Sequence, residues 1–140
     1  MEISSDYITL ASNIIRSHKK AESVIQRLEA KRPTLLAQLS RAGDKLDSVV
    51  ERLPNADKRL YRRYMEAKEH LDIYRVAMEE RVSQRNRSII HDTFVNGVPI
   101  AETAEKYGLS VSRIKQIRRN GIHAIAAEIM IRDVVKGKIE

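Results

Sequence analysis

Apolar residues recur along this chain at steps of three and four, the period of a helix with one buried face. Tyr7, Leu10, Ala11, Ile14, Ala21, Val24, Ile25 and Leu28 share such a face and predict a helix from about Ser5 to Ala30. Pro33 disfavours helix at Arg32 and then suits the first turn of the next helix. In that next segment Leu35, Leu39, Ala42, Leu46, Val49 and Leu53 alternate steps of four and three, a heptad stripe that predicts a coiled-coil-like helix, weakened at Gly43. Leu53 to Asp57 reads as a turn, with Asn55 or Asp57 capping a third helix. The stripe of that helix runs through Leu60, Tyr64, Ala67, Leu71, Tyr74, Met78 and Val82. The charges between these residues form a solvated face, on which Arg62 and Glu66, and Lys68 and Asp72, are spaced to pair. The stripe fades at Ser83 to Arg87, a hinge or a helix running straight through. A boundary placed there divides the chain into a helical region over 1–85, for oligomerisation or partner contacts, and a compact helical domain over 86–140.

Composition narrows this to an all-α fold. Hydrophobic residues make up 42% of the chain, but aromatics are one Phe, five Tyr and no Trp, so the core is built from aliphatic side chains. Five Gly and three Pro are too few for a turn-rich β-protein. The formal net charge of +7 favours a polyanionic partner, nucleic acid or anionic membrane, and only the distribution of the charge decides between them. The absence of cysteine excludes disulfides, cysteine zinc sites and thiol nucleophiles. No stretch resembles a signal peptide, and none approaches the roughly 20 apolar residues of a membrane span. A soluble, cytoplasmic protein without a membrane partner is expected. The histidines at 18, 70, 91 and 123 form no HExxH or comparable pair, and neither a Gly-rich phosphate loop nor a serine elbow is present. No enzyme, metal or cofactor is expected.

The charge gathers usefully in one place, PIAETAEKYGLSVSRIKQIRRN, from Pro99 to Asn120. Pro99 starts a helix, with Glu102 in its favourable first turn. Ala104 is the small residue that lets a second helix cross closely. Gly108, four residues on, supplies the left-handed conformation of a tight turn. Leu109 plugs the angle between the helices, Ser110 caps the second one, and Ile114 and Ile117 are its buried face. Thr103 and Tyr107 are polar for the buried positions they take. The opposite face holds Ser112, Arg113, Lys115, Gln116, Arg118 and Arg119, and from Lys106 to His123 there are five Lys or Arg and no acid. Side chains that reach base edges, flanked by cations for phosphates, are what a recognition helix needs.

Residues 87–127 resemble region four of bacterial sigma factors. Ile89, Ile90 and Phe94 match its leading helix, and Asn96-Gly97 its loop. Ala104 and Gly108-Leu109-Ser110 match its turn, and Ser112 to Ile117 its recognition helix. The resemblance implies a helix-turn-helix that binds double-stranded DNA, with Ser110, Val111, Ser112, Arg113, Lys115, Gln116, Arg118 and Arg119 as the contacting residues. Gln116 matches a base-contact position; Arg113, Lys115 and Arg119 match phosphate-facing or groove-edge positions. The family's primary members carry Arg and Glu where this chain has Val111 and Ser112, so their usual promoter element is not the expected target. Nothing upstream resembles region two, so a complete sigma factor is not expected.

The reading is a transcription regulator of phage or plasmid type, acting as a homodimer. The alternatives are a protein-interaction module that binds RNA polymerase or another protein, and a DNA-packaging or partition factor.

Overall fold

The computed structural model describes residues 3–137. Among them every regular element is helical: α1 (Ser5–Arg16), α2 (His18–Lys31), α3 (Pro33–Ser40), α4 (Leu46–Glu51), α5 (Asn55–Arg81), α6 (Gln84–Ile90), α7 (Ile100–Tyr107) and α8 (Val111–Val135). A short 3₁₀ turn (Gly43–Lys45) precedes α4, and a wide π turn (His91–Val95) extends α6. No helix among the described residues is long and apolar enough to cross a membrane.

The chain divides into two compact units. One takes the chain up to Lys19 together with Leu71 onward; the other is Lys20–His70. These limits differ from a single boundary at 85/86, because α1 and the end of α5 pack with the C-terminal helices. Residues 138–140 of the expected domain lie outside the described residues.

The N-terminal stripes fold into shorter pieces than their periodicity predicts. The helix expected from Ser5 to Ala30 is broken at Ser17, whose hydroxyl donates to the Asn13 carbonyl at 2.7 Å and competes with the backbone for it. Leu10, expected on the buried face, is 49% exposed, whereas Ile15, outside the stripe, is fully buried. The heptad helix is not continuous either. Gly43 adopts φ +54°, a left-handed conformation that stops α3, and Leu46 to Glu51 form a separate short helix. Leu35 and Leu39 are buried, while Ala42, Leu46, Val49 and Leu53 are only partly so. Neither Asn55 nor Asp57 caps α5. The helix begins at Asn55 directly after Pro54, whose carbonyl accepts from Lys58, and Asp57 is held by both guanidinium nitrogens of Arg32 at 2.7 and 3.1 Å. The third stripe folds as one helix, with Tyr64, Ala67, Tyr74 and Met78 buried. The expected Lys68–Asp72 pair is absent: the Lys68 ammonium lies over the Tyr64 ring, and Asp72 accepts from Arg75 and Arg132.

In the larger unit one apolar core joins Ala11, Ile14 and Ile15 of α1, Ile73, Tyr74, Ala77 and Met78 of α5, Ile89 and Ile90 of α6, and the inner face of α8. On α8 that face is Ile114, Ile117, Gly121, Ala124, Ile125, Glu128 and Ile129, at helical spacing. Glu128 is a charge within it, 6% exposed. Its carboxylate accepts from Arg81 at 3.1 Å and from Arg132 at 2.7 Å, and Arg132 also reaches Asp72 at 3.0 Å. Burial would raise the Glu128 carboxyl's pKa; the two guanidiniums outweigh it and hold the pKa below its ordinary value.

Gly121 marks a close approach of helices in this core. A Cβ there would stand 2.7 Å from Ile90 Cδ1 and 3.0 Å from Cγ1. Ile90 is fully buried and has little room to retreat. Gly121→Val should therefore cost about 1–3 kcal/mol of stability by overpacking. In urea denaturation the cost should shrink in an Ile90→Ala background. Strict additivity of the two substitutions would show that this contact does not set the spacing of α6 and α8.

Candidate nucleic-acid interface

The segment that presents the site is built from local rules. Pro99 precedes α7 with an extended backbone. The Thr103 side chain is fully buried, and its hydroxyl donates back to the Pro99 carbonyl at 3.0 Å, which satisfies a polar group at an interior position. Gly108 ends α7 with φ +66° and ψ +37°. Its N–H donates to the Glu105 carbonyl, and the N–H of Leu109 donates to that of Ala104 at 2.9 Å. This is the paired closure of a Schellman turn, in which the residue after the glycine returns its side chain to the helix it has left. Leu109 accordingly packs against the core. Ser110 is extended, and its hydroxyl accepts from the Arg113 N–H at 3.1 Å, capping α8. A tight turn therefore joins two helices, as the Ala104–Gly108–Leu109–Ser110 spacing predicts.

The burial of α8 fixes which way its other residues face. Ile114 and Ile117 are 0% and 1% exposed, while Val111, Ser112, Arg113, Lys115, Gln116 and Arg119 are exposed. Ser112 and Gln116 lie one turn apart on the same outward face. Arg113 Nη1 donates to Gln116 Oε1 at 2.7 Å, which fixes the amide of Gln116 with its NH₂ group turned away from Arg113. The Ser110 hydroxyl is committed to its own backbone. Arg118 also departs from the other expected contacts. It is half-buried, and its guanidinium lies 4.1 Å from the centre of the Phe94 ring, on the border of the outward face.

Asp92, which no sequence pattern singles out, holds the first helix of this pair in place. It lies in the π turn, with its side chain 16% exposed. One carboxylate oxygen accepts from the Tyr107 hydroxyl at 2.7 Å and from Lys106 at 3.0 Å; the other accepts from Asn96 at 3.2 Å. The Tyr107 hydroxyl is the leading cause, followed by Lys106, that holds the carboxyl's pKa below its ordinary value. Tyr107 thus reconciles its polar tip with a partly buried position. Arg85 adds a cation at the end of α7, donating to the Tyr107 carbonyl at 2.8 Å. No group of three His, Asp or Glu among the described residues is placed to hold a metal ion.

Two helices joined by a Schellman turn, the second with a buried isoleucine pair and a basic outer face, define a helix-turn-helix. Residues 80–127 match the family sigma-70, region 4, a helix-turn-helix module of a DNA-binding class. The match takes in α6, the π turn, α7 and α8 as far as Ala127. No curated protein and no solved structure matches the chain.

Because its pKa is lowered on folding, Asp92 contributes stability above the ordinary carboxylate value of 3.8, and that contribution disappears as pH falls through the lowered value. Asp92→Asn should lower stability by about 1 kcal/mol at neutral pH. In melts recorded across a pH series, the difference from wild type should close in the acid range below 3.8. A difference that stays constant into acid would mean that the charge of Asp92 does not hold α7.

Proposed function

We propose that the protein binds double-stranded DNA in a sequence-specific way through the outer face of α8, and regulates transcription by doing so. The observation that carries this reading is the opposition of faces on one helix. Ile114 and Ile117 are sealed in the core, and on α8 as far as Ala127 the exposed residues, apart from Val111, are hydrogen-bonding or basic. Gln116 is the proposed base reader, since an amide pairs in two-point fashion with adenine, and Ser112 beside it contacts several bases. Val111, 42% exposed at the start of the helix, offers an apolar contact to a thymine methyl. Arg113, Lys115 and Arg119 flank this row, suited to phosphates, although Arg119 also has the reach for guanine. A binding role without catalysis suits this surface. A homodimer engaging two half-sites would compensate for the small footprint of one such module.

Selection of bound sequences from a random DNA pool tests the reading directly. We expect a defined consensus, with dyad symmetry if two copies bind. Gln116→Ala should cost roughly 1–3 kcal/mol on the selected site and relax preference at one position, with little effect on random DNA. Lys115→Ala should instead weaken binding to every sequence and reduce the salt slope by about one. If neither substitution changes DNA binding while both disturb association with RNA polymerase, the outer face serves a protein partner and the DNA reading is replaced.

A further inference from the structure

The helix-turn-helix does not account for the arginine at the end of α1. Phe94, the one phenylalanine of the chain, has two guanidiniums near its ring: Arg118 at 4.1 Å from its centre and Arg16 at 5.5 Å. Arg16 belongs to α1, far outside the matched segment, and packing of α1 in the same unit as α8 brings it there. Among the described residues neither guanidinium forms an ion pair with a carboxylate. Arg16 uses Nε to reach the Ser12 hydroxyl at 3.2 Å, leaving its terminal nitrogens available. Arg118 Nε is buried without a hydrogen-bond partner. Two like charges at one aromatic ring, with no carboxylate partner among the described residues, repel each other, and an anion bridging them would relieve that repulsion.

We infer that Arg16 and Arg118, both gathered at Phe94, form a clamp for one phosphate of the DNA backbone, so that α1 extends the binding surface beyond the helix-turn-helix. The inference rests on the proposed DNA binding by α8. A guanidinium stacked on a ring keeps its N–H edge free and oriented, the arrangement that grips a phosphate with paired hydrogen bonds. The position fits as well. Around α8, at 100° per residue, Arg118 falls between buried Ile114 and exposed Lys115, at the edge of the outward face. A group there meets the sugar–phosphate rim of a groove, not the base edges. Burial first, and the charge of Arg16 second, lower the pKa of Arg118, which agrees with an unneutralised pair awaiting an anion.

The test is fluorescence anisotropy of a labelled mixed-sequence DNA duplex over a series of salt concentrations, with wild type, Arg16→Ala and Arg16→Lys. Arg16→Ala should bind roughly tenfold more weakly and lower the slope of log affinity against log salt by about one, the signature of one lost phosphate contact. Arg16→Lys keeps the charge and should keep the slope. The melting temperature of Arg16→Ala without DNA should stay at the wild-type value or rise, because removing the charge relieves repulsion. A wild-type affinity and slope for Arg16→Ala would overturn the clamp while leaving the helix-turn-helix reading intact. So would a lower melting temperature with unchanged binding, which would make the stack a packing feature. If the wild-type protein binds no duplex at all, the DNA reading itself fails and the clamp with it.

Discussion

A single helix serves the core with one face and presents the proposed binding surface on the other, and the rest of the larger unit depends on that constraint. α8 runs 25 residues, from the tight turn at Ser110 to Val135, and its buried face extends from Ile114 to Ile129. The first turns of that face, Ile114 and Ile117, belong to the helix-turn-helix. The later ones, Ala124, Ile125 and Ile129, belong to the core shared with α1, α5 and α6. A straight helix allows one rotation about its axis, so seating the long C-terminal part also fixes where Ser112, Gln116 and Arg119 face. The proposed recognition surface is the exposed side of a core element, not a loop laid on one. Burial of that element's isoleucines, at roughly 1.5–3 kcal/mol for each aliphatic side chain, holds it in place.

Charges refine the arrangement that burial sets. Glu128 turns a polar position on the inner face of α8 into a tie to Arg81 and Arg132. Asp92 draws the end of α7 onto the π turn, and Arg85 closes the α7 terminus from α6. These acids are consumed internally, each by a basic or hydroxyl group of the same unit. Among the described residues the cations on the outer face of α8 have no acid partner; Arg113 donates to the neutral amide of Gln116. Locally the outer face of α8 is basic without acids of its own, which is the electrostatic condition for meeting an anionic partner.

Local patterns made much of this legible in advance. The turn at Gly108, the cap at Ser110 and the buried isoleucine pair are dictated by spacing within a dozen residues, where backbone rules act alone. The third stripe also folded as its period predicts. Contacts between distant segments were not legible. Periodicity shows that α1 has an apolar face but not that the face packs with α8, with six α-helices and most of the chain between them. The same limit hid Arg16 beside Phe94, and Asp92 beside Tyr107. The heptad stripe misled for a different reason: apolar spacing continues across Gly43, but the backbone does not, because a left-handed glycine stops the helix whatever the side chains around it favour. Gly121 carries no signal in the sequence because a glycine within a helix marks a close approach only once the opposing residue, Ile90, is known.

The claim that the outer face of α8 is a DNA-binding surface is tested most directly by ¹H–¹⁵N chemical-shift mapping of the protein titrated with a short DNA duplex. The account predicts that the largest shifts fall on the backbone amides of Val111, Ser112, Lys115, Gln116 and Arg119, with the buried Ile125 and Ile129 little changed. Saturable shifts centred on another face, or an unchanged spectrum at low salt, would contradict it.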